Sequence, residues 1–124
     1  MKIAVVGLGA VGGAFAGLLG TLPRSKNIQL SAIARGKALT ALQTQGLAWT
    51  DATGQTHQVA LTASDDAADL GPQDVVIVAV KGPSLEGVAP VVQKLLAPHT
   101  VVLVAMNGVP WWFFDGLGSA CNGL

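Results

Sequence analysis

Charge is scarce in this sequence. Among 124 residues there are seven lysines and arginines and seven aspartates and glutamates, against 51% apolar residues and 16 glycines. That composition is the reverse of the disordered signature, so the chain is expected to bury most of itself as one packed domain over residues 1–124. A domain of this size is small beside most complete metabolic enzymes, and a second functional domain is expected to come from elsewhere. The lone cysteine, Cys121, excludes an internal disulfide and a cysteine-based zinc site. His57 and His99 are too few and too far apart for a metal cluster, so no metal is expected. The default setting is reducing and cytoplasmic. Acid is missing altogether before Asp51: the first 50 residues carry Lys2, Arg24, Lys26, Arg35 and Lys37, while the remainder carries all seven acids with Lys81 and Lys94. Five scattered cations make no dense basic stripe, which argues against nucleic acid as a partner. A small anionic ligand needs far fewer positive groups.

Lys2 followed by an uncharged stretch from Ile3 to Gly20 has two readings at a membrane. Ala14-Phe15-Ala16 imitates a signal-peptide cleavage site, and Gly9, Gly13 and Gly17 have the spacing of a helix-contact face in a bilayer. Against both, six of these eighteen residues are glycine, each of which weakens a helix by about 1 kcal/mol relative to alanine. They cluster where a turn belongs. A buried strand, a turn and a helix explain the stretch better, and no membrane partner is expected.

Lys2 to Val6 is a β-branched-rich run that ends at Gly7-Leu8-Gly9-Ala10-Val11-Gly12-Gly13, ahead of an apolar segment reaching Leu22. This reads as strand, glycine turn and helix. Pro23 to Asn27 is a polar connection, Ile28 to Ala34 a second strand with alternating faces, and Lys37 to Gln45 a helix stopped by Gly46. Leu47 to Thr50 and Thr56 to Thr62 flank Asp51-Ala52-Thr53-Gly54 and predict a β-hairpin. Asp65 to Leu70 predicts one helical turn, broken by Gly71-Pro72. Asp74 to Val80 is apolar on both faces, as a central parallel strand requires when helices cover both sides. Val88, Val91, Val92, Leu95 and Leu96 then predict an amphipathic helix that Pro90 starts or kinks and Pro98 ends. Val101 to Ala105 is read as another buried strand, leading to Met106-Asn107-Gly108. Alternation of strand and helix implies right-handed βαβ units and a Rossmann-like, doubly wound parallel α/β sheet with one inserted hairpin. Ligands of such sheets bind outside the carboxyl ends of the strands, where the glycine turn, Arg35, Lys81 and Asn107 fall.

Gly7-x-Gly9-x-x-Gly12 between a strand and a helix is the dinucleotide pattern. Its first glycine allows the tight turn, its second admits a pyrophosphate against the backbone, and its third lets helix and strand pack closely. Gly7, Leu8, Gly9, Ala10, Val11 and Gly12 are therefore the candidate cofactor-binding residues, the other reading being a ligand-free structural turn. An NAD site usually ends its second strand in Asp or Glu to hold the ribose 2′-hydroxyl; this chain places Arg35 there, which favours the 2′-phosphate of NADP(H), with Lys37 as a second cation. A solvated surface arginine is the alternative. Lys81 follows the central strand, and Asn107-Gly108 the next; both sit beside the crevice as cofactor- and substrate-binding candidates, against the readings of a solvated strand end and an ordinary turn. His57, His99, Met106 and Cys121 are given no role, and Asp65, Asp66 and Asp69 are read as a solvated face.

With these residues in hand, the chain resembles the ketopantoate reductase (2-dehydropantoate 2-reductase) family in its cofactor-binding N-terminal portion. Lys2 to Gly13 is similar to that family's strand and GxGAxGG turn, Arg35 to its 2′-phosphate residue, Val78-Ala79-Val80-Lys81 to its strand-ending valine and lysine, and Asn107-Gly108 to its Asn-Gly pair. The resemblance implies an NADPH-dependent oxidoreductase that reduces the keto group of a branched 2-oxo acid, a step of pantothenate biosynthesis. It also implies that the general acid, a lysine, belongs to a helical C-terminal domain absent here, so no catalytic residue is assigned within the fragment and the fragment alone is expected to be inactive. Gly82-Pro83-Ser84 after Lys81, Met106 where glutamine is common, and Gly118-Ser119 where Gly-Gly is usual depart from the pattern and leave the 2-oxo acid open. Trp111-Trp112-Phe113-Phe114 holds four of the six aromatics and is expected to be covered by that missing domain, by a second subunit of a homodimer, or by ordinary packing beneath the sheet. The functional alternative is a non-catalytic NADP-binding regulatory module.

Overall fold

The computed structural model describes residues 1–22 and 27–105. The expectations placed on Pro23 to Lys26, on Met106, Asn107 and Gly108, on Trp111 to Phe114, on Gly118-Ser119 and on Cys121 lie outside the described residues.

Five strands form one parallel sheet: β1 (Lys2–Val6), β2 (Gln29–Ile33), β5 (Thr62–Ser64), β6 (Val75–Val78) and β7 (Val101–Val104), in the order β5-β2-β1-β6-β7. Helix α1 (Ala10–Thr21) crosses from β1 to β2; α2 (Gly36–Gln45), a hairpin of β3 (Leu47–Thr50) and β4 (Thr56–Val59), and then β5 follow. Helix α3 (Ala67–Leu70) leads back to β6, and α4 (Leu85–Gln93) joins β6 to β7. The chain moves outward in one direction from β1 and in the other from β6, so the reversal of strand order falls between β1 and β6. That position is the binding crevice of doubly wound sheets.

Helices on both faces explain the sequence of the central strands. Ala4, Val6, Val76 and Val78 point into one core layer with Ala67, Leu70 and Leu95. Ile3, Val5 and Ile77 point into the other with Ala16, Leu30 and Val59. A strand with both faces buried loses the polar alternation, which is why Val76-Ile77-Val78 reads as an unbroken apolar run. The same holds for β2: Leu30, Ser31, Ala32 and Ile33 are all buried, so the alternation expected there marks two core layers and not a core and a solvent face.

Other expectations need correction. The run Thr56 to Thr62 divides: β4 ends at Val59, and Thr62–Ser64 is a third parallel strand paired with Ser31–Ile33. Helix α4 begins at Leu85 and contains Pro90, so that of the two expectations for this residue, a start or a kink, the start is excluded. It stops at Gln93, so Leu95 and Leu96 part company: Leu95 is fully buried and Leu96 is 41% exposed. Strand β7 was expected to be buried, yet Val101, Val102 and Leu103 are exposed, because it is the sheet's edge among the described residues. Asp66 and Asp69 are more than a solvated face. Asp66 accepts the Ala68 N–H at 3.0 Å as the cap of α3, and Asp69 accepts the Ser64 hydroxyl at 2.7 Å.

Two histidine–aspartate pairs fasten the periphery. His57 Nε2 lies 2.7 Å from Asp51 Oδ2 and its ring stacks on Trp49, closing the hairpin. His99 Nε2 lies 2.8 Å from Asp74 Oδ1, while Asp74 Oδ2 accepts the backbone N–H of Lys2 at 2.7 Å. These contacts hold both carboxyls below the usual range, through His57 and Thr53 at Asp51 and through Lys2 and His99 at Asp74. Among the described residues no helix is long and apolar enough to cross a membrane.

Candidate functional site

Val6 ends β1, and Gly7 turns the chain with φ +96°, a conformation side chains avoid. A Cβ on Gly7 would lie 2.7 Å from the Ala79 carbonyl oxygen and 2.9 Å from Val80 Cγ1, because the end of β6 presses against the turn. Ala79 N–H donates to Val6 C=O at 2.9 Å and holds it there. A Cβ on Gly12 would collide with the Gly7 carbonyl oxygen. Gly7 and Gly12 are thus required by the protein's own packing, which places α1 directly above β1.

Gly9 differs from both. It is the N-cap of α1, it is exposed, and a Cβ there would meet nothing within 4 Å. No side chain caps the helix and no acid lies in its first turn. The helix supplies no acceptor for its first N–H groups, so the turn presents amide donors and the positive end of the helix dipole. Ala10 and Val11 are exposed at this end, and Leu8 packs back onto the core.

Arg35 follows β2 by two residues, is exposed, and is the N-cap residue of α2; Lys37 lies in the first turn of that helix. A cleft of about 460 Å³ opens between the end of β2 and α4, lined by Gly7, Ala34, Arg35, Val80, Ser84 and Val88 among others. The fold therefore brings Arg35 and the first glycine of the turn to one cavity. It also brings Asp65 toward them, since Asp65 follows β5, the neighbour of β2, so the separation of acids from cations along the sequence is not kept in space. Even so, Arg35 forms no ion pair among the described residues.

Lys81 is exposed beyond β6, and its carbonyl accepts the Ser84 N–H at 2.8 Å across the tight turn Gly82–Ser84. It stands at the carboxyl end of the sheet but does not line the cleft with Arg35. Asn107, its expected companion, lies outside the described residues. Sequence reasoning missed Pro83, Ser84 and Gly87 in the cleft wall. The spacing of Ser84, Gly87, Val88 and Val91 carries that signal, though Val88 and Val91 were read only as a core face. A second cleft of about 470 Å³, lined by Lys2, Gln29, Ser31 and Thr62 among others, lies at the amino ends of the strands, away from the glycine turn.

Residues 3–110 match the family model of ketopantoate reductase PanE/ApbA. A 2-dehydropantoate 2-reductase from Mesorhizobium japonicum is 39% identical over 123 residues, covering 99% of this chain and 36% of that protein. A solved structure from Ralstonia solanacearum MolK2, assigned as a ketopantoate reductase, is 52% identical with a TM-score of 0.81, over 91% of this chain and 34% of that one. The structure of D-mandelate dehydrogenase with NADH and anilino(oxo)acetate is 25% identical with a TM-score of 0.69, over 88% of this chain and 34% of that one. The chain spans about a third of the length of the relatives it matches. With the glycine turn, the strand order and these matches in agreement over nearly all of its length, the chain belongs to the ketopantoate reductase family.

Proposed function

We propose that this chain is the nucleotide-binding part of an NADPH-dependent 2-oxo acid reductase of the cytoplasm, converting ketopantoate to pantoate on the route to pantothenate. The observation that carries the reading is the pairing, at one end of the sheet, of an uncapped helix N-terminus having an open glycine with a cleft walled by Arg35, which forms no ion pair among the described residues. The D-mandelate dehydrogenase that shares this fold binds NADH, which supports a nicotinamide dinucleotide here.

The site fits such a group. Gly9 leaves the backbone approachable, and the N–H groups of Ala10, Val11 and Gly12 are donors for a pyrophosphate at the positive end of α1. Arg35 supplies a planar fork of donors for a 2′-phosphate and a flat surface for adenine. The bound cofactor supplies the hydride; the protein supplies position and electrostatics. Lys81, exposed at the carboxyl end of β6, offers an ammonium to the nicotinamide ribose and to the substrate carboxylate or keto oxygen, with Asn107 as its companion. Proton delivery to the keto oxygen is assigned to a lysine in the helical domain that the family resemblance implies. The partner is a small 2-oxo acid, and the aromatic run Trp111 to Phe114 is the surface proposed for that domain or for a second copy.

Fluorescence titration with NADPH and NADH tests cofactor choice. The wild-type protein is expected to bind NADPH more tightly, and Arg35→Ala is expected to weaken NADPH about tenfold or more, the worth of a charge-assisted contact, while leaving NADH nearly unchanged. Equal binding of both nucleotides before and after the substitution contradicts the phosphate role.

A further inference from the structure

Ser31, Ser64 and Gln73 are the buried polar residues among those described, and one of them makes no side-chain hydrogen bond. Ser64 donates to Asp69 and accepts the Asp66 N–H, and Gln73 donates to the Leu70 and Gly71 carbonyls. Ser31 is 8% exposed and its hydroxyl has no partner among the described residues, a costly arrangement for a buried polar group. That hydroxyl is not sealed from outside as Gln73 Oε1 is; it opens on the cleft of about 470 Å³ at the amino ends of the strands. The strand register explains the cleft. Lys2 pairs with Gln29 and Ser31 with Thr62, and strand alternation puts all four on one face. Further along, the same face is the apolar layer of Ala4, Val6 and Leu70. Helix α3 has only four residues, about 6 Å of length, which is too short to cover the polar part. Two opposite charges border the cleft without pairing. Lys2 Nζ donates to the Leu70 carbonyl at 3.3 Å, the neighbouring Asp69 accepts the Ser64 hydroxyl, and the two form no ion pair with each other.

We propose that this cleft is a second ligand site, for a free amino acid with a small aliphatic side chain. Lys2 meets the carboxylate of the amino acid and Asp69 its ammonium, the Ser31 hydroxyl donates to the carboxylate, and Ala60 and Leu61 supply apolar surface for the side chain. A zwitterion answers both charges at once, whereas a simple anion is opposed by Asp69 and a simple cation by Lys2. The site lies at the opposite end of β1 and β2 from Gly7 and Arg35, so amino acid and dinucleotide bind without competing. It stands independently of the cofactor reading.

The probe is L-valine at millimolar concentration, with isovalerate, which lacks the ammonium, and isobutylamine, which lacks the carboxylate, beside it. Amide NMR of the wild-type protein is expected to show L-valine shifting Lys2, Gln29, Ser31, Thr62 and Asp69 while leaving Gly7 to Gly12 in place. Isovalerate and isobutylamine are each expected to bind about tenfold or more weakly than L-valine, as are Lys2→Met and Asp69→Asn proteins toward L-valine, because each change removes one charge-assisted contact. Ser31→Ala is expected to weaken L-valine about three- to tenfold through loss of one hydrogen bond. It should also unfold at the same or a higher temperature, since the hydroxyl has no bond within the described protein to lose. Ser31→Ala carries the test if a charge variant does not fold. Absence of L-valine shifts at the five amides overturns the site, whether or not NADPH binds. Equal binding of isovalerate or isobutylamine overturns the zwitterion, and unchanged L-valine affinity in Ser31→Ala, or a lower unfolding temperature, overturns the part given to its hydroxyl. Displacement of NADPH by L-valine overturns the separation of the two sites.

Discussion

Gly7, Gly9 and Gly12 belong to one motif but answer to different constraints. Gly7→Ala forces a side chain into the left-handed region and against the Ala79 carbonyl, and Gly12→Ala drives a methyl into the Gly7 carbonyl. Each is expected to lower the unfolding free energy by about 2–4 kcal/mol, read from urea denaturation of the free protein. Gly9→Ala meets no protein atom, so its effect on the free protein should stay below about 1 kcal/mol, with the loss appearing in NADPH affinity. A glycine series that destabilises uniformly and leaves binding alone would contradict this division. The motif was legible because its spacing between a strand and a helix is set by backbone geometry. Arg35 was legible because the end of β2 is a fixed place in the fold. Asp65 was not, since it reaches the same end of the sheet through a strand of only three residues. The pairing of His57 with Asp51 and of His99 with Asp74 depends on tertiary approach, which no local pattern encodes.

Helix α1 is held from two sides, by the sheet beneath and by the hairpin beside it. A Cβ on Gly17 would enter the Trp49 ring, and one on Gly20 would enter Val59, so the hairpin packs on α1 only because these two positions lack side chains. Gly13, in the same helix, faces open space. Gly13→Ala is therefore expected to stabilise the free protein by about 0.5–1 kcal/mol, while Gly17→Ala destabilises it by about 1–3 kcal/mol. Paired urea titrations check the opposite signs, and equal shifts in the two variants would contradict the docking of the hairpin on α1. Pro90 lies inside α4 and does not start it, for an identifiable reason. The N–H that proline lacks would have bonded the Glu86 carbonyl, and both residues are exposed, so water can take the missing donor's place. Burial of β7 could not be read from its composition, because an apolar strand at a sheet edge has the same residues as one inside it.

At the scale of the whole molecule, the amino ends of the strands are tied by Asp74 and the carboxyl ends carry the proposed site. Asp74 joins β1 to the turn before β7 through the Lys2 N–H and His99. Its folded pKa is lowered, so its contribution is fully present above the ordinary carboxylate value of about 4 and is lost as the pH falls through the folded value. Asp51 acts in the same direction at the hairpin. Urea midpoints followed from pH 6 to 2 should fall less steeply in Asp74→Asn than in the wild-type protein; parallel curves would contradict the role given to this carboxylate. The layout that brings the glycine turn and Arg35 to one end of the sheet was legible in the alternation of strands and helices, because right-handed crossovers leave little freedom in how such units wind. The central claim is that a dinucleotide lies across the carboxyl end of the sheet with its pyrophosphate on α1, and amide NMR during titration with NADP⁺ tests it most directly. Shifts are expected to concentrate at Gly7 to Gly12, at Arg35 and at Ser84 to Val88. Shifts confined to Lys2, Gln29, Ser31 and Thr62, at the opposite end, would contradict it.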